Sequence, residues 1–123
     1  GPTLAKCHES VRSVLGPDTV YVYVIDLVRM ARPKEEGAES WVKDLIDWGP
    51  GPRACQQVIL GSQVRALLTG RFAAKVEDVK ALAHPVLRHR IVPTFNAEAE
   101  GITVESIIDR CVEAVPEKKE AIL

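Results

Sequence analysis

Asp18-Thr19-Val20-Tyr21-Val22-Tyr23-Val24-Ile25-Asp26-Leu27-Val28-Arg29-Met30 decides the fold class, and it carries two conflicting signals. Val20 to Ile25 alternates apolar and aromatic residues and is rich in β-branched side chains, as a strand would be. Yet Val20, Val24, Leu27, Val28 and Ala31 fall on one face at helical spacing, and the segment runs on to Arg32-Pro33. A strand is rarely that long. With Asp18 or Thr19 as the capping residue, length predicts a helix.

Working outward, helical periodicity dominates on both sides. Leu4, Cys7, Val11, Val14 and Leu15 advance in steps of three and four until Gly16-Pro17 stops them. Downstream, a polar loop over 34–39 leads to a short helix from Ser40 to Asp47 carrying Trp41, Leu45 and Ile46. A long helix follows from Ala54 to Thr69. Val58, Gly61, Val64, Arg65 and Leu68 share one flank, Leu60 and Leu67 widen the stripe, and Gly70 caps the end. Val76 to Leu87 carries Val79, Leu82 and Ala83 and is expected to kink or break near Pro85. After a polar loop containing Gly101, Thr103 caps a last helix with the stripe Val104, Ile107, Ile108, Cys111, Val112 and Val115, ended by Pro116.

The expected architecture is therefore all-α, a compact bundle of about five helices. A minimal two-stranded element is expected between Ala73–Lys75 and Ile91–Val92. Gly1-Pro2 reads as a tag-cleavage scar, residues 3–115 as one domain, and 116–123 as a frayed charged tail. A chain of 123 residues is long enough for one ordinary domain and too short for two.

Sixteen Lys and Arg against seventeen Asp and Glu leave a net charge of −1, which argues against a dedicated binder of nucleic acid or anionic membranes. No apolar run reaches the roughly 18–20 residues that span a bilayer. Cys7, Cys55 and Cys111 are odd in number and far apart, so reduced thiols in the cytoplasm are expected rather than a disulfide framework. Cys55 itself reads as a small buried apolar residue. With His8, His84 and His89 the cysteines form no pair at metal-ligand spacing, so no metal site is expected. Phosphate-loop, GxGxxG, HExxH and GxSxG motifs are all absent. The paired carboxylates Glu35-Glu36 and Glu77-Asp78 read as solvated charge, and His84 before Pro85 reads as structural. Trp41 and Trp48 read as core or interface anchors flanking the short helix.

The stretch that points to chemistry is Trp48-Gly49-Pro50-Gly51-Pro52-Arg53-Ala54. Pro52 suits a first helical turn, where its missing N–H costs nothing. Arg53 then stands in that first turn, beside unpaired N–H groups and the positive end of the helix dipole. A cation there is unfavourable unless an anion joins it. Phosphate fits best, because the guanidinium donates as a fork and the helix end adds donors. The plainer alternative is a glycine-rich helix start with an exposed arginine. Arg88-His89-Arg90, likewise, reads as a solvated helix end or a complement to the dipole.

Gly-x-Gly-Pro-Arg-Ala at 49–54, a long helix, Gly70-Arg71, Val76-Glu77-Asp78-Val79 and Leu87-Arg88-His89-Arg90-Ile91 occur in that order. This succession resembles the C-terminal lid of MoxR-type AAA+ ATPases. Arg32-Pro33 and Phe95-Asn96-Ala97-Glu98-Ala99-Glu100-Gly101 extend the likeness over roughly residues 10 to 115. The resemblance implies a helical lid and an upstream ATPase core in the same chain that holds ATP and Mg²⁺. It maps the family's sensor-2 arginine, which contacts the terminal phosphates, onto Arg53, with Gly51 and Pro52 beside it. It also implies interface roles for Arg32, Arg88, His89 and Arg90, and a homo-oligomeric, hexameric ring. A chaperone-like client role and a von Willebrand A-domain partner follow from the same likeness. Two departures stand out: Gly51 occupies a position where the family often has Ser, and Lys75 replaces a usual Ser or Thr. Each lost cap is worth about 0.5–2 kcal/mol of stability.

The lid alone should neither hold nor hydrolyse ATP. One charge-assisted contact supplies about 1.5–3 kcal/mol, whereas micromolar binding needs about 8 kcal/mol. The rival reading is a stand-alone helical interaction module without a nucleotide role. A small nucleic-acid-binding domain is disfavoured by the charge balance.

Overall fold

In the computed structural model, which describes residues 18–117, the ambiguous segment is helix α1 (Asp18–Met30). Val20, Tyr21, Val22, Tyr23, Val24, Leu27 and Val28 are all buried. Its strand-like alternation thus has a physical cause. A helix covered on nearly every side needs apolar residues all round rather than along one stripe. The first expected helix, Leu4 to Leu15, the scar expected at Gly1-Pro2 and the expected tail beyond Glu117 lie outside the described residues.

The remaining elements are α2 (Ser40–Leu45), β1 (Ile46–Trp48), α3 (Pro52–Leu68), α4 (Val76–Leu87), β2 (Val92–Pro93), α5 (Phe95–Ala99) and α6 (Val104–Ala114). The described residues therefore form the expected all-α bundle with one minimal antiparallel pair of strands. α1 packs against α3, α4 and α6, and α3 lies along α4. The core is a single cluster drawn from all these helices.

Four expectations need correction. The short helix stops at Leu45 rather than Asp47, because Ile46–Trp48 turns extended and pairs with Val92–Pro93. The strand partner expected at Ala73–Lys75 is thus replaced by β1, while the half expected at Ile91–Val92 forms one residue later, as Val92–Pro93. Thr94 closes this element: its N–H donates to Leu45 O at 2.9 Å and its hydroxyl to Asp44 O at 2.6 Å. The polar loop after α4 contains α5, capped by the Thr94 hydroxyl, which accepts from Ala97 N–H. Pro85 does not break α4, which runs on to Leu87. The carbonyl of Ala81, deprived of a donor by the proline, lies on an exposed residue where water can serve it.

Two glycines set helix ends and contacts. Gly70, with φ +83°, ends α3, and the Arg71 N–H reaches back to Ala66 O at 2.8 Å. Gly61 lets α4 approach α3, since a Cβ there would lie 2.5 Å from Leu82 Cδ1. The Thr103 hydroxyl caps α6 as expected, accepting from Ser106 N–H at 3.1 Å. Cys111 is a buried free thiol, and Cys55 is buried in the core as the sequence suggests. Among the described residues no helix is long and apolar enough to cross a membrane.

Candidate functional site

The start of α3 is held in place by the loop before it. Gly49 passes so close to the end of α1 that a Cβ would sit 2.3 Å from Ala31 O and 2.9 Å from Arg32 Cα. Pro50 is buried, and Gly51, extended at φ −95° and ψ −170°, is the N-cap with no side chain to offer. Pro52 occupies the first turn, as the sequence predicts. No acidic residue lies in that turn. Arg53 is exposed and, among the described residues, its side chain has no hydrogen bond or ion pair. The helix end therefore combines the positive dipole terminus with an uncompensated guanidinium, while Pro52 brings no N–H and the Ala54 N–H is engaged by Gly51 O at 3.1 Å.

Beside this end lies a cleft of about 220 Å³ lined by Arg32, Pro33, Lys34, Asp47, Trp48, Gly49, Pro50 and Gly51. Arg32 and Gly51 thus share one cleft, 19 positions apart in sequence, because Gly49 presses the two loops together. Arg32 Nη1 is buried without a hydrogen bond, its nearest anion being Glu35 at 3.8 Å. Lys34 Nζ sits 4.4 Å from the Trp48 ring centroid. Trp48 is 60% exposed, which removes the core half of the core-or-interface expectation and leaves the interface half; Trp41, partly buried, stacks with Arg110 at 4.4 Å. Of the sequence-predicted site residues only Gly51 and Arg32 line this cleft; Pro52 and Arg53 stand outside its lining, which mixes the cations Arg32 and Lys34 with the anion Asp47. Arg53 itself has the chemistry to accept an anion.

Arg88, His89 and Arg90 lie at the end of α4 and do not line that cleft. Arg88 Nε contacts Glu105 Oε1 on α6 at 3.0 Å, and Arg90 Nη1 donates to Val86 O at 2.9 Å, while His89 is exposed. The cluster is thus partly engaged in tying α4 to α6.

Sequence reasoning missed the polar centre of the fold. Asp78 is fully buried rather than solvated, and only its neighbour Glu77 is exposed. Arg71 grips it with two bonds of 2.7 Å, Arg65 adds another, and the Lys75 N–H donates at 2.7 Å. That last bond gives α4 the N-terminal acceptor that Lys75 itself cannot provide. The Arg71 hydrogen bonds, then the Lys75 N–H and Arg65, outweigh burial and hold the Asp78 carboxyl far below the usual carboxylate range. The available signal was an acid three residues into a helix, with Arg65 and Arg71 both upstream of it in sequence.

Comparison with known proteins agrees with this architecture. Residues 38–111 match the family model described as the AAA lid domain. The chain is 34% identical over 93 residues to "Chaperone MoxR1" of Mycobacterium tuberculosis, covering 76% of this chain and 25% of that protein. It is 32% identical over 102 residues to "Protein MoxR" of Paracoccus denitrificans, covering 76% of this chain and 29% of that one. A crystal structure of a protein from Cytophaga hutchinsonii, provisionally described as an ATPase, superposes with a TM-score of 0.77 at 29% identity. It covers 90% of this chain and 34% of that one. A helical lid is thus the class that fold and family share. The chain belongs to the AAA lid domain family, in the branch found in MoxR-type AAA+ ATPases. It spans between a quarter and a third of the length of these relatives.

Proposed function

We propose that this chain is the lid of an ATP-hydrolysing machine and that Arg53 is its sensor for the terminal phosphates of ATP. One observation carries the reading. Arg53 is an exposed guanidinium with no partner among the described residues, in the first turn of a 17-residue helix that has no acid to balance it. A scaffold gains nothing from a cation at the positive end of a helix, whereas a phosphate at that end relieves the conflict. Gly51, lacking a side chain, leaves the approach to the helix end open.

The residues present fit part of such a site. Arg53 and the helix end would hold phosphate oxygens, while the chain carries no phosphate loop and so leaves Mg²⁺ and most of the binding energy to an ATPase core. Hydrolysis removes the charge that Arg53 attracts. The lid then loses its preference for one angle against the core, and the change in angle is the mechanical output. On this reading the core lies upstream in the same polypeptide. The assembly works as a homo-oligomeric ring of six in the cytoplasm, remodelling client proteins with a von Willebrand A-domain partner. Arg32, Arg88, His89 and Arg90 serve its interfaces.

The test is steady-state ATPase of a longer polypeptide containing the core, wild type against Arg53→Ala. A tenfold or greater loss of turnover with unchanged circular dichroism is expected. Unchanged turnover would leave the rival reading, a helical interaction module.

A further inference from the structure

The residues that lead into α3 form a stiff strap. Pro50 and Pro52 fix their own φ, and each confines the glycine before it to extended backbone. Gly51 accordingly stands at φ −95° and ψ −170°. Pro50 is buried, and the Gly51 carbonyl accepts from the Ala54 N–H at 3.1 Å, so the strap joins the helix without a loose joint. Its upstream end is clamped twice. Trp48 pairs with Val92 across the two-stranded ribbon, and Gly49 lies against the end of α1. A Cβ at Gly49 would meet Ala31 O at 2.3 Å, Arg32 Cα at 2.9 Å and Ala31 C at 3.1 Å, all of them backbone atoms. The end of α1 is itself braced. Ala31 is fully buried, the Arg32 N–H donates to Arg29 O and the Glu35 N–H to Arg32 O, both at 3.1 Å, and Arg29 Nε meets Glu35 Oε1 at 3.2 Å.

We infer that Gly49 is a positioning residue for Arg53: its backbone contact with Ala31 and Arg32, carried through the Pro50-Gly51-Pro52 strap, sets where the Arg53 guanidinium stands. The inference rests on the sensor reading of Arg53 above and adds to it the element that aims the guanidinium. Arg53 has no partner among the described residues, so the placement of its backbone decides what it reaches. A carbon needs about 3.3 Å from a carbonyl oxygen, so a methyl at Gly49 drives the strap and the end of α1 roughly 1 Å apart. At its far end α3 is tied to α4 by Arg65 and Asp78, so the helix does not slide as a whole to absorb that shift, and it falls on the first turn. A misplacement of about 1 Å in a group that positions substrate can cost about a hundredfold in rate.

A double-variant cycle in steady-state ATPase tests this in a polypeptide carrying core and lid, at a temperature where each variant is folded by circular dichroism. Gly49→Ala should lower turnover about fivefold or more when Arg53 is present. It should lower it less than about twofold when Arg53 is already alanine, because the displaced strap then has no guanidinium to misplace. Pro50→Ala frees the strap without adding an obstacle and should show the same dependence on Arg53; if Gly49→Ala does not fold, this variant decides. Gly61→Ala adds a methyl to the same helix away from the strap and should change turnover less than about twofold. Equal losses in the two backgrounds overturn the inference, because Gly49 then acts on the stability of the lid and not through Arg53. Unchanged turnover in Gly49→Ala, or a loss from Gly61→Ala as large as the loss from Gly49→Ala, overturns it too. If Arg53→Ala by itself leaves turnover unchanged, the sensor reading fails and this inference falls with it. If Arg53→Ala lowers turnover and the cycle is additive, the sensor stands and the positioning role alone is lost.

Discussion

His84 on α4 lies with its Nε2 2.6 Å from Oδ1 of Asp109 on α6. Its other nitrogen, Nδ1, bonds Glu105 one turn earlier on α6, and Arg88 contacts the same glutamate at 3.0 Å. Only the imidazolium can donate from both nitrogens at once, so this clasp between helices holds best when the ring is charged. Burial of the ring lowers its pKa, but the hydrogen bonds to Asp109 and Glu105 outweigh that and raise it above the ordinary value.

A pH signature follows. With the folded pKa raised, the stabilisation is fully present below the unfolded value of about 6.5 and is lost as pH rises through the folded value. The loss of Tm caused by His84→Gln should therefore be larger at pH 5.5 than at pH 9. Thermal melts of both proteins at the two pH values measure it. Equal losses would mean that His84 acts by shape alone.

Asp78 has the opposite sign. Its carboxyl is depressed in the fold, so its contribution is present above the unfolded pKa of about 3.9 and fades only as pH falls through the lower folded value. Asp78→Asn removes the charge that Arg71 and Arg65 hold and weakens the acceptor for Lys75 N–H. A loss of about 3 kcal/mol in urea unfolding at pH 7 is expected. A loss below about 1 kcal/mol would show that the two arginines, both partly exposed, are satisfied by water instead.

Gly49 and Gly61 make a contrasting pair. A methyl at Gly49 meets backbone, Ala31 O at 2.3 Å, and neither segment can move without shifting the start of α3. Gly49→Ala should cost about 2 kcal/mol. At Gly61 the obstacle is the end of the Leu82 side chain, which is only partly buried and can turn aside. Alanine there also gains about 1 kcal/mol of helix propensity. Gly61→Ala should lie within about 1 kcal/mol of wild type, so denaturant midpoints that rank the two variants in reverse would refute the contact geometry.

These cases show why some features were legible in the sequence and others were not. The α1 segment could be read because its length separated helix from strand even though its alternation did not. The Gly51-Pro52-Arg53 start of α3 and the Thr103 cap were local signals, and both elements formed where those residues stand. β1 was hidden because Trp41, Leu45 and Ile46 continue a helical rhythm, and what ends the helix is Val92–Thr94, more than 40 residues away. Asp78 was misjudged for a similar reason. Its burial depends on Arg65 and Arg71, which belong to α3 and the loop after it. The stripe on α3 was visible as periodicity, but not which of its apolar residues stay outside; that depends on where α1 and α4 pack.

Arg53 offers the sharpest separation of stability from function. Because it is exposed and has no partner among the described residues, no packing is lost on its replacement. Arg53→Glu puts an anion at the positive end of α3, which favours the helix by about 0.5 kcal/mol. The 123-residue variant should thus melt at the same temperature as wild type or slightly higher. In the polypeptide with its core, the same change sets a carboxylate against the phosphates and should cost more turnover than Arg53→Ala does. Two measurements, the melt and the ATPase assay, then move in opposite directions. A variant that loses stability and turnover together would assign Arg53 to the structure of the lid rather than to its ligand.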